Sequence, residues 1–202
     1  MAEQKAETEN IPEKIIGRVK EQELLRNLIG SKKSEFIAVY GRRRVGKTYL
    51  VKNLVSSFPC VFFHVTGVQK GPLKSQLKEF AKQVGKTFYK TPSLIPKPSW
   101  DDAFEELTET IKNVPKEKTI VLFFDEFPWM ASPRSKLLTA LELYWNRYWV
   151  FDKRIKLIIC GSATSWIINN IINDKGGLHN RVTRTIHLQP RSEERRVGKE
   201  CL

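Results

Sequence analysis

The run Phe36-Ile37-Ala38-Val39-Tyr40-Gly41-Arg42-Arg43-Arg44-Val45-Gly46-Lys47-Thr48 decides the fold. Its first five residues are apolar, and a short unbroken apolar run reads as a strand buried on both faces. The next eight fit the pattern G-x-x-x-x-G-K-[ST], and Tyr49 to Val55 continues as a helix. Strand, glycine-bounded loop and helix in that order form a cradle for phosphate. Gly41 and Gly46 let backbone N–H groups close around phosphate oxygens with no Cβ in the way. The helix start adds the positive end of its dipole. Lys47 is expected to reach the β- and γ-phosphates of a nucleotide, and Thr48 to hold Mg²⁺ through its hydroxyl.

Further along, Ile120-Val121-Leu122-Phe123-Phe124 is a second buried run, and it ends in Asp125-Glu126. A strand of this kind delivers an aspartate beside the metal held by Thr48 and a glutamate where it can polarise a water. Asp125 is therefore the second metal residue, and Glu126 the candidate catalytic base. The glutamate points to hydrolysis by water rather than transfer to an acceptor. Leu157-Ile158-Ile159-Cys160-Gly161-Ser162 is a third such run. Its terminal Ser162, with Thr164 second, is either a residue that senses the γ-phosphate or an ordinary helix cap. No N-K-x-D occurs, which disfavours a guanine-specific site.

Around these runs, strands alternate with helices. Helices are expected over 20–29, 49–55, 72–84, 100–114, 132–149 and 164–173, and strands over 36–40, 60–65, 119–124, 155–160 and 182–188. Gly30, Gly85 and Pro115 read as helix stops and Ser99 as a cap. The alternation implies an α/β sandwich of three layers, with a five-stranded, mostly parallel sheet between helices. Residues 1–14 are expected to be disordered and 15–190 to form one domain. Arg191 to Cys201 reads R-S-E-E-R-R-V-G-K-E-C and matches, residue for residue, the translation of a sequencing-library adapter. Residues 191–202 are accordingly expected to be foreign, with the natural chain continuing beyond Pro190.

Composition narrows the class. With 41% hydrophobic residues in a chain of 202, a packed core is expected and wholesale disorder is excluded. No apolar run is long enough to span a bilayer, and no secretory signal opens the chain, so no membrane partner and a cytoplasmic location are expected. Cys60, Cys160 and Cys201 lack metal-site spacing. A net charge of +13 favours polyanionic partners.

The segment Tyr40–Thr48 resembles the phosphate loop of the archaeal-type ATPase domain, a prokaryotic group within the STAND branch of the AAA+-like P-loop NTPases. Asp125-Glu126-Phe127-Pro128 resembles that family's Walker B segment and Ile159-Cys160-Gly161-Ser162 its sensor strand. Ile16-Gly17-Arg18, followed by Glu21, resembles the segment that lies against adenine. Asn180-Arg181-Val182-Thr183 resembles the stretch where the family places an arginine close to phosphate, although glycine is usual at position 180. The resemblance implies strand order 5-1-4-3-2 and Mg²⁺-dependent ATP hydrolysis used as a conformational switch. It assigns Ile16, Gly17 and Arg18 to the base, Gly41, Arg42, Arg43, Arg44, Val45, Gly46, Lys47, Thr48 and Tyr49 to the nucleotide, and Ser162 and Arg181 to sensing. It also implies a helical lid and a C-terminal domain downstream, through which DNA or a protein could be bound. An initiator-like DNA-handling module is the alternative reading, and a phosphotransferase the third.

Two stripes remain. Lys70, Lys74, Lys78, Lys82, Lys86 and Lys90 recur every fourth residue and read as a solvated helix face or a nucleic-acid stripe. Leu137, Leu141, Trp145 and Tyr148 read as core, with a partner surface as the alternative. His64, His179 and His187 lack metal spacing and read as structural or surface residues.

Overall fold

Runs rich in β-branched and aromatic residues, each bounded by a turn or a helix cap, lie side by side as the strands of one sheet. The computed structural model describes residues 15–91, 94–132, 134–173, 176–178 and 180–190. The expected disordered segment 1–14, the tail 191–202, His179 and the anticipated helix start at Pro133 lie outside them.

Strands β1 (Glu35–Tyr40), β2 (Cys60–Thr66), β3 (Thr119–Asp125), β4 (Ile155–Gly161) and β5 (Arg184–His187) form a sheet in the order β2-β3-β4-β1-β5. This is the expected 5-1-4-3-2 order counted from the other edge. Every pairing is parallel, so the sheet is wholly rather than mostly parallel. The crossovers place α1 (Val19–Ile29) and α2 (Lys47–Val55) on one face. On the other lie α3 (Leu73–Val84), α4 (Trp100–Lys112), α6 (Leu137–Arg147) and the short helices α5 (Phe127–Met130) and α7 (Thr164–Ile167).

Alternate strand residues feed the two cores, because successive Cβ atoms point to opposite faces. Ile37, Val39, Val121, Phe123, Ile158 and Cys160 meet Leu25, Leu50, Val51 and Leu54 of α1 and α2. Phe36, Ala38, Phe63, Leu122, Phe124 and Leu157 meet the thicker helical layer. That layer is aromatic. Phe104 packs edge-on to Phe124 with ring centroids 5.9 Å apart, and tilts against Trp149 at 5.2 Å. Trp149 Nε1 donates to Thr108 Oγ1 at 2.9 Å, so its one polar atom is satisfied in the core.

Element limits differ from expectation where tertiary contacts override local signals. Gly85 does not stop α3. The helix continues as a π-helical turn, Gly85–Tyr89, and closes at Lys90, which has φ 57°. A Cβ on Gly85 would lie 2.2 Å from the Thr91 carbonyl oxygen, so the glycine permits a close chain approach rather than a break. The 164–173 helix also becomes π-helical, over Ile168–Ile172. Helix α6 begins only at Leu137, and α5 occupies the segment straight after Asp125-Glu126. Ser99 caps α4 as expected, accepting from the Asp102 N–H at 3.1 Å.

Candidate nucleotide site

In an open parallel sheet the loops that follow the strands gather at their C-terminal ends, where ligands bind. Here β4 lies between β1 and β3. The loop Gly41–Gly46 after β1, Glu126 after β3 and Ser162 after β4 therefore converge at one edge.

The loop is built on positive backbone angles. Gly41 has φ +147°, and a Cβ there would sit 2.1 Å from the carbonyl oxygen of Leu188. That contact is fixed, because the Leu188 N–H donates to the Tyr40 carbonyl at 2.8 Å. Arg44 (φ 66°) and Gly46 (φ 88°) are left-handed. A loop that mixes left- and right-handed residues turns successive N–H groups inward as an anion nest. Lys47 opens α2 and is only 5% exposed. Its Nζ donates to the carbonyl oxygens of Gly41 (2.9 Å) and Arg42 (2.8 Å), which hold the ammonium across the loop.

Thr48 Oγ1 donates to Asp125 Oδ2 at 2.8 Å, joining the start of α2 to the end of β3. Burial pushes the Asp125 carboxyl pKa up, but polar contacts with His64, Thr48 and Cys160 outweigh it and hold the group below its ordinary value. Asp125 thus stands as a carboxylate beside a hydroxyl. Two hard oxygens so placed suit Mg²⁺, which takes one or two protein oxygens and fills its octahedron with water and phosphate. The Cys160 thiol lies against the same carboxylate and is kept protonated, chiefly by burial and then by that negative charge.

Glu126 adopts φ 46°, which turns the chain out of β3 into α5. Its N–H donates to Asp125 Oδ1 at 3.1 Å. Its carboxylate Oε2 accepts both the N–H (3.0 Å) and the hydroxyl (2.9 Å) of Ser162. The catalytic-base and sensor candidates are therefore in direct contact. Thr164, the second sensor candidate, begins α7, with its N–H bonded to the Ser162 carbonyl at 3.0 Å.

Beside the loop lies a cleft of about 560 Å³, lined by Ile15, Arg18, Arg42–Gly46, Tyr49, Leu50 and Pro190. That is the size of a small-molecule site. Arg18 (φ 53°) sends its Nη2 to the carbonyls of Val45 and Gln189, both at 2.9 Å, and so ties the phosphate loop to the segment after β5. Of the residues assigned to the base, Arg18 lines the cleft, whereas Ile16 is 73% exposed and neither Ile16 nor Gly17 is among its walls.

Arg181 is not brought to the phosphate loop of its own chain. It is exposed and lies two residues before Thr183, whose N–H bonds the Phe36 carbonyl at the N-terminal end of β1. The loop leaves the opposite end of that strand, roughly 13 Å away at the rise of a parallel strand. The departure at Asn180 has a local explanation. Its φ is 56°, a conformation glycine favours and asparagine tolerates.

Sequence reasoning missed His64, Ile15, Leu50 and Pro190. His64 stacks on Phe123 with centroids 4.9 Å apart and places Nε2 3.9 Å from Asp125 Oδ2. Its one signal was a polar residue inside the apolar run Cys60–Val65. The other three form apolar walls, which carry no motif.

A family profile described as an ATPase domain predominantly from Archaea matches residues 16–195. An uncharacterised protein of Methanocaldococcus jannaschii, MJECL04, is 27% identical over 175 residues, covering 87% of this chain and 36% of its own length. The solved Walker-type ATPase PABY2304 of Pyrococcus abyssi superposes with a TM-score of 0.59 at 18% identity, covering 93% of this chain and 60% of that one. The Aeropyrum pernix ORC2 protein, solved as ADPNP–ADP complexes, gives 0.63 at 18% identity, covering 90% and 50%. The chain thus spans about a third of the curated relative and half or somewhat more of the solved chains. Among the described residues no helix is long and apolar enough to cross a membrane.

Proposed function

From the premise that this chain belongs to the family of ATPase domains found predominantly in Archaea, we propose that it binds ATP with Mg²⁺, hydrolyses it, and uses the two states as a conformational switch of the STAND and AAA+ kind. One observation carries this reading: Thr48 and the ionised Asp125 share a 2.8 Å hydrogen bond beside a glycine-bounded loop whose lysine is already held across it.

The residues divide the work. Lys47 exchanges its two loop carbonyls for phosphate oxygens, contacts that are charge-assisted and therefore strong. Thr48 and Asp125 would hold Mg²⁺, which would supply positive charge against the phosphates. The base and ribose enter the cleft between Arg18, Tyr49 and Pro190. Glu126 polarises the attacking water, but first has to leave Ser162. A γ-phosphate oxygen competing for the Ser162 N–H and hydroxyl would release it. The switch reading follows from these exchanges. Each phosphate contact replaces an internal one, and Arg18 passes loop movement to the segment after β5.

Calorimetry with ATP and GTP tests binding. The wild-type chain is expected to prefer ATP, and Lys47→Ala to lose most of the affinity. Equal ATP affinity in the two proteins refutes the site. Glu126→Gln is expected to keep ATP binding and to slow single-turnover hydrolysis by about 10²-fold or more; unchanged turnover would transfer its role to another group.

A further inference from the structure

Lys70, Lys74, Lys78, Lys82, Lys86 and Lys90 run through α3 and its flanks, and all six are exposed. They flank the face formed by Leu77, Phe80, Ala81 and Val84, which are buried. A repeat of four drifts by about 40° per step around an α-helix of 3.6 residues per turn, so a long row would wrap away from one face. The helix changes at Gly85. The π-helical turn Gly85–Tyr89 contains more residues per turn, so the drift falls as Lys86 and Lys90 join the row. Lys74 to Lys82 alone spans about 12 Å at the α-helical rise.

Among the described residues only Lys82 of this row has an acidic partner, Glu79 at 3.5 Å. Like charges four apart destabilise a helix. The acids of α4, Asp102, Glu105, Glu106 and Glu109, instead surround a cleft with Lys97 that shares Tyr89 with the C-terminal end of the row. Apart from the Lys82–Glu79 pair, the row is thus a basic ridge without acidic partners among the described residues, on a chain of net charge +13.

We propose that this ridge docks the phosphate backbone of a nucleic-acid duplex without regard to base sequence. Its shape favours the duplex. Sheet-borne grooves with several aromatic platforms bind single strands, whereas a lysine ridge with one exposed aromatic, Tyr89, at its end offers point charges to phosphate rows. The proposal does not rest on the nucleotide site.

The test is anisotropy of a labelled mixed-sequence DNA duplex with the whole chain, over a range of salt. Each phosphate contact adds about 0.9 to the log–log salt slope. Lys74→Gln/Lys78→Gln/Lys82→Gln is expected to flatten the slope by about 2 to 3 and to weaken binding about tenfold or more at low salt. Lys32→Gln/Lys116→Gln/Lys118→Gln removes the same charge elsewhere and is expected to leave the slope unchanged. The arginine triple, Lys74→Arg/Lys78→Arg/Lys82→Arg, is expected to bind as wild type, which separates charge from folding. Equal flattening in the ridge and control triples overturns the proposal, as does absence of duplex binding. Tighter binding of a single strand, or ridge-dependent binding of poly-glutamate alone, overturns it in favour of another partner.

Discussion

Substituting Gly41 by alanine should damage the fold before it damages the chemistry. The new Cβ would lie 2.1 Å from the Leu188 carbonyl oxygen and 3.0 Å from its carbon, where backbone rather than a flexible side chain is in the way. The angle itself, φ +147°, is one that L residues rarely adopt. Holding a residue in such a region costs about 1–3 kcal/mol, and forcing extra volume into a packed site costs about 1–3 kcal/mol more. The sum, roughly 2–6 kcal/mol, is a large share of the 5–15 kcal/mol that holds a domain together. For a chain of this size each kcal/mol moves Tm by about 2–4 °C, so Gly41→Ala should melt about 4–24 °C below wild type.

Gly46 supplies the comparison. It is also left-handed, at φ +88°, but a Cβ added there would meet nothing within 4 Å. Only the conformational cost of about 1–2 kcal/mol applies, equivalent to a fall of about 2–8 °C. In the proposed nucleotide complex its Cβ would instead stand in the open space where phosphate approaches the loop. Gly46→Ala should therefore lose nucleotide affinity while keeping most of its stability, and Gly41→Ala should do the reverse in proportion. Thermal melts read with and without Mg²⁺–ATP separate the two. A Gly41→Ala melt within 2 °C of wild type, judged against the about 2–4 °C expected per kcal/mol, would mean that the Leu188 segment is not locked against β1.

Other outcomes follow from the same geometry. Because the Asp125 pKa is depressed in the folded chain, its contribution is present above the ordinary carboxylate value near pH 4 and is lost as pH falls through the lower folded value; Asp125→Asn should flatten that part of the acid limb in denaturant titrations, and an identical limb would contradict it. Ser162→Ala removes one of the two donors to Glu126 and should leave ATP affinity within severalfold while changing single-turnover hydrolysis, so an unchanged rate would exclude a part for the Ser162 hydroxyl in turnover; α7 is capped at Ala163 and not by this side chain. Burial pushes the Cys60 thiol to about 11, so alkylation of the native chain at pH 8 should be far slower than after unfolding; equal rates would place Cys60 in the open.

Strands β1, β3 and β4 were legible because each is a largely contiguous apolar run, whereas β5 has only Ile186 buried among polar neighbours; the cradle was legible because its residues lie within one loop. Thr48 and Asp125 could be paired in advance for a different reason. Each follows or ends a buried strand, and parallel strands deliver their C-terminal ends to one edge whatever lies between them. What could not be read depended on backbone angles and long-range contacts. Gly85 has the same local signature as a stop whether it breaks a helix or admits Thr91, and only the 2.2 Å approach distinguishes the two. Glu126 and Ser162 were separate candidates on separate runs. Their hydrogen bonds require Glu126 to leave β3 with φ 46°, a conformation no propensity assigns to glutamate.

Arg181 shows the same limit from the other side. Its segment resembles one that carries a phosphate-sensing arginine, yet the register Ile37↔Arg184 sets that segment at the N-terminal end of β1. A shift of β5 by one residue would move the arginine by only about 3.3 Å and could not close the distance. Sequence similarity identifies the segment, and the strand pairing fixes which end of the sheet it serves. Within one chain, Arg18 rather than Arg181 joins the loop's own Arg42, Arg43 and Arg44 at the cleft, and it reaches that place from before β1. Its guanidinium is committed to two backbone carbonyls there, those of Val45 in the loop and Gln189 after β5. It therefore shapes the pocket as a brace between the phosphate loop and the β5 exit, a role that follows from its hydrogen bonds and not from its charge alone.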